Sequence, residues 1–82
     1  MGTKVFASAV NFSAVTTSDS TLVTCKGIFV GTGGNVTVSA SDTATPVTFY
    51  NVGSGIMLPI ELKNGRIMAT NTTASNIVSL GW

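Results

Sequence analysis

Cys25 is the one thiol in the chain, and no histidine accompanies it. A cysteine nucleophile needs a base to take its proton, and imidazole is the usual one. Cys25 therefore reads as a small buried hydrophobe. The same shortage leaves no ligand set for a structural zinc site and no partner for an internal disulfide. Asp19, Asp42 and Glu61 are the only carboxylates. Asp19 and Asp42 stand in turn-like surroundings, where aspartate commonly bonds the backbone, so a two-carboxylate hydrolase site is the weaker reading. Gly31-Thr32-Gly33-Gly34 resembles a phosphate cradle only at first sight. A phosphate loop needs GxxxxGK with Ser or Thr and then a helix, whereas a strand follows here, so a plain hairpin loop is expected. Nothing in this inventory points to an enzyme or to a bound cofactor.

The residues around these positions are those of a β protein. Apolar side chains recur at spacing two, β-branched types dominate, and no long helical pattern occurs. Strands are expected at 13–17, 22–25, 26–30, 35–40, 47–52, 56–62 and 76–80. In 35–40, Val36, Val38 and Ala40 fall on one face, Thr37 and Ser39 on the other. Pro46 opens a strand, and Pro59 marks an edge or bulge. Asn64-Gly65 is the sharpest local signal. Both residues accept positive φ, so the pair predicts a type I′ hairpin that sets Leu62 beside Ile67, with Lys63 and Arg66 flanking the tip. The expectation is one all-β domain over 13–82, a small antiparallel sandwich or jelly-roll-like fold of six or seven short strands, with 1–12 as an arm.

Composition bounds what such a domain does. Four basic residues (Lys4, Lys26, Lys63 and Arg66) against three acidic ones give a net charge of +1. That is too sparse for a nucleic-acid footprint. Ser, Thr, Asn and Gly supply 37 of 82 residues, yet a mean hydropathy of +0.47 argues for a folded chain. The N-terminal stretch has no uninterrupted apolar core of a signal peptide, Phe6 stands where myristoylation needs Ser or Thr, and no apolar run is long enough to span a membrane. Synthesis in a cytoplasm is therefore expected, and the N-x-S/T matches at Asn11, Asn35 and Asn71 read as chance. In so small a domain, apolar burial and chain entropy nearly cancel. With no disulfide or metal, association with other chains is the remaining source of stability. Trp82, a large aromatic at the C-terminus, reads as a lid on the domain's own core or as an interface anchor.

Four segments together resemble one known family. They are VTTSDST (Val15–Thr21), GIFVGTGGNVTV (Gly27–Val38), VTFYNVGSGIMLPI (Val47–Ile60) and MATNTTASNIVSL (Met68–Leu80). Their order and spacing resemble the spike base protein family of tailed phages and gene transfer agents. Between Glu61 and Arg66 the chain departs from that pattern, with Glu61 where a basic residue is common. The resemblance implies a virion protein seated at capsid vertices, forming a homo-oligomeric ring, a pentamer first of all. Its partners would be other copies of itself, the major capsid protein and a spike or fibre protein. Candidate interface residues are Tyr50, Lys63, Arg66, Asn71, Thr72, Thr73 and Trp82. A capsid cement or decoration protein and a receptor- or glycan-binding virion module are the alternatives, the latter relying on Tyr50 and Trp82 for stacking.

Overall fold

The computed structural model describes residues 9–81. Eight strands form β1 (Asn11–Ala14), β2 (Val23–Cys25), β3 (Gly27–Thr32), β4 (Gly34–Ser39), β5 (Val47–Val52), β6 (Ile56–Leu58), β7 (Leu62–Ile67) and β8 (Ser75–Gly81). They make two four-stranded antiparallel sheets, β1-β8-β3-β6 and β2-β7-β4-β5, here sheet 1 and sheet 2. This is the all-β antiparallel sandwich that the alternation predicts. Residues 1–8 of the expected arm and Trp82 lie outside the described residues, while Asn11 and Phe12 pair with Gly81 and Leu80.

Among the described residues only β4 and β5 are consecutive neighbours in one sheet; every other connection crosses between the sheets. That topology overturns three local expectations. The Gly31–Gly34 run is not a hairpin loop: β3 continues to Thr32, and Gly33 carries the chain from sheet 1 to sheet 2. There the backbone oxygen of Val52 comes so close that a Cβ on Gly33 would collide with it. The expected strand 56–62 is two strands, because Pro59 cannot donate to a ladder and the chain changes sheet at 59–61.

Asn64-Gly65 is not a turn either but lies inside β7. Asn64 has φ 52°, and the pairing of Val23 with Gly65 and Cys25 with Leu62 leaves one extra residue on β7, a β-bulge. The bulge has a packing consequence. Leu62 and Ile67 are five residues apart, so a regular strand would send them to opposite faces. The extra residue resets the alternation, and both are 1% exposed in the core. Asn51 repeats the device in β5. With φ 57° beside a register shift against β4, it lets Phe49 and Val52 both pack on the core.

Sheet 1 contributes Ile28, Val30 and Ile77 to that core, and sheet 2 contributes Cys25, Val36, Val38, Leu62 and Ile67. Full burial of each large aliphatic side chain stabilises by roughly 1.5–3 kcal/mol. The burial of Cys25 agrees with the reading of it as a packed hydrophobe, and desolvation pushes its thiol pKa up.

Candidate assembly surface

The two outer faces of the sandwich differ in kind. On sheet 2, the outward side of β4 is polar but covered. The Thr37 hydroxyl lies 2.8 Å from the Thr48 hydroxyl and donates to the Asn71 carbonyl at 3.1 Å, while Ser39 donates to the Ala44 carbonyl at 2.9 Å. The loop after β7 is fastened to β4 from its other side, as the Asn35 N–H donates to the Thr73 hydroxyl and the Thr37 N–H to the Thr72 hydroxyl. Asp19 holds the same loop, accepting the N–H groups of Ala69 and Thr70 at 2.8 and 2.9 Å. These loops satisfy the buried polar groups of Thr37 and Ser39, as burial requires.

Among the described residues, sheet 1 has no such cover. Directly paired residues of antiparallel strands share a face. The pairs Phe12–Leu80 and Gly27–Leu80 form one outward row, and Ala14–Val78, Phe29–Val78 and Phe29–Met57 form a second. Phe12 is 70% exposed, Met57 43% and Phe29 37%. No charged residue occurs in β1, β3, β6 or β8. Four strands of three to seven residues cover a face on the order of 15 by 20 Å. A bare apolar face of that extent falls within the range where patches on small proteins are commonly functional, about 300–600 Å².

A second apolar feature lies on sheet 2 beside its edge strand β5. It is an open cleft of about 340 Å³ walled by Val38, Val47, Phe49, Ile60 and Leu62, with Glu61 as the one charged residue in its lining. Asp19 and Asp42 are not part of it. Asp19 is engaged at 69–70, and Asp42 pairs with Arg66 at 3.0 Å. The cleft thus offers a hydrophobic socket and no pair of carboxylates.

The expected interface residues are scattered across sheet 2 and its loops. Tyr50 is 71% exposed on the outward side of β5, next to β4 and its loop cover. Lys63 is exposed and makes no ion pair among the described residues. Arg66 does not flank a turn; it lies in β7, and its guanidinium reaches both the carboxylate and the carbonyl of Asp42. Through the Asn71 carbonyl and their hydroxyls, Asn71, Thr72 and Thr73 bind β4. The residues that sequence reasoning missed are Phe12, Phe29, Met57, Val78 and Leu80. The signal that could have found them is the absence of charge from four separate strand segments.

No protein-family model and no curated protein matches the chain. Among solved structures it is similar to a chain in the capsid of a native GTA (gene transfer agent) particle computed with C5 symmetry. The two share 32% identity and a TM-score of 0.76, with 96% of this chain and 90% of the other covered. Identity of that level over nearly the full length of both chains, on the same fold, is common descent rather than a shared architecture. The chain belongs to the same family as that capsid component, the structural virion proteins of phages and gene transfer agents.

Proposed function

We propose that this chain is a spike base: a homo-oligomeric ring, pentameric, seated at the capsid vertices and acting as a platform for a head spike or fibre. The observation that carries the reading is the outer face of sheet 1, charge-free and uncovered among the described residues, in a virion protein too small to gain much stability from its own core. Five is the ring size that sits on a five-fold capsid vertex without mismatch. The mechanism is geometric. Strands β5 and β7 and the loop fastened to β4 present Tyr50, Lys63 and the 71–73 segment to the capsid protein on one side or the spike on the other. Arg66 and Trp82 belong to the same proposed contact set.

Native mass spectrometry of the purified chain at several concentrations tests the reading. A pentamer, or a multiple of five, is expected. A trimer favours a decoration protein on the capsid lattice, and a monomer at every concentration contradicts self-assembly of the isolated chain.

A further inference from the structure

Two apolar features have no cover among the described residues, and they lie on different sides of the sandwich. Phe12 stands on the outer face of sheet 1 in β1, which is one lateral edge of that sheet. The cleft lies beside β5, the edge of sheet 2. β5 is joined to β6 by only 53–55, and β6 is the opposite edge of sheet 1 from β1. Knob and socket therefore occupy opposite flanks of the sandwich. They also stand at the same height. Phe12 shares a row with Leu80 and Gly27, two residues along the chain from Cys25, and Cys25 pairs with Leu62 in the cleft wall.

We infer that Phe12 of one copy seats in the β5 cleft of the next, and that this is the contact that closes the ring. The inference rests on the ring reading above and names its interface. The occupant is a second copy for three reasons. Size is the first, because a cleft of about 340 Å³ admits one phenyl side chain with room for its neighbours. Chemistry is the second, because knob and socket are both apolar and Glu61 is the single charged residue lining the cleft. Symmetry is the third. A knob and a socket at different places on one chain make a head-to-tail contact, which gives a ring if the rotation closes and a filament if it does not. A buried aromatic anchor in a pocket is also the usual form of an interface hot spot.

The test is the double variant Phe12→Cys/Val47→Cys under mild oxidation. Both positions are exposed, 70% and 58%, so both substitutions leave the core intact. Within one chain the two sites are separated by about the width of a four-stranded sheet, roughly 15 Å, beyond the reach of a disulfide. Buried Cys25 stays out of the reaction. The expected result on a non-reducing gel is a covalent ladder that stops at five, with each single variant giving no species beyond a dimer. Phe12→Ala is expected to weaken ring assembly by about 30-fold or more with the monomer fold unchanged by circular dichroism. A wild-type pentamer whose double variant remains pentameric but unlinked overturns the knob-and-cleft contact and leaves the spike-base reading standing. A wild type that is monomeric throughout overturns both.

Discussion

The carboxylate of Asp19 accepts the backbone N–H of Thr70 at 2.9 Å and its hydroxyl at 2.5 Å, across 51 residues of sequence. It fixes the start of the loop that covers β4. The Thr70 hydroxyl first, then the backbone N–H groups, hold the Asp19 pKa below its ordinary value. A carboxylate with a lowered folded-state pKa stabilises the fold above the unfolded value, about 4, and loses that contribution as pH falls through the folded one. Thermal melts should therefore show wild type above Asp19→Asn at pH 7, with the gap narrowing as pH drops below about 4. A gap that is constant with pH would contradict the assignment.

Gly65 faces the backbone oxygens of Ser39 and Ala40 with no room for a Cβ. Gly65→Ala should cost about 1–3 kcal/mol in urea denaturation, as forced overpacking does. At the neighbouring Asn64, φ is 52°, so Asn64→Gly should be well tolerated while Asn64→Val costs about 1–2 kcal/mol. Equal effects of valine and glycine would remove the bulge from the account.

Cys25 is buried, and burial pushes its thiol pKa up. Thiolate is the reactive form, so iodoacetamide should label Cys25 in urea and leave it untouched in the native protein, as read by intact mass. Rapid native labelling would mean that the β2 edge opens readily.

The Arg66–Asp42 pair sits at the surface, with Asp42 largely exposed. Asp42→Ala should cost less than about 1 kcal/mol and less still in 1 M salt. Arg66→Ala should cost somewhat more, because its second bond runs to the Asp42 carbonyl, which the aspartate substitution leaves in place.

The fold was legible wherever local pattern decides it. Val47–Val52 was expected and observed with the same bounds, and the inward set Val36 and Val38 followed from simple alternation. Asn64-Gly65 shows the limit. Positive φ is observed at Asn64 but not at Gly65, and at Asn64 it serves a bulge rather than a turn. The choice is made by Cys25 and Ser39, distant residues that pair with β7. The 31–34 run failed for the same reason: glycine marks a place where backbones approach closely, not which sheet comes next. The apolar face was illegible because Phe12, Phe29, Met57, Val78 and Leu80 come from four segments that only the sheet order brings side by side. The exposure of Tyr50 and the loop at 71–73 were legible because exposed aromatics and polar loops announce themselves locally.

A reconstruction of the virion vertex by electron cryomicroscopy tests the central claim most directly. The account expects five copies of this chain around each five-fold axis, with the outer face of sheet 1 buried against protein and Phe12 lodged beside β5 of the neighbouring copy. Copies spread over the hexamer lattice, or a vertex ring whose sheet 1 faces open solvent, would contradict it.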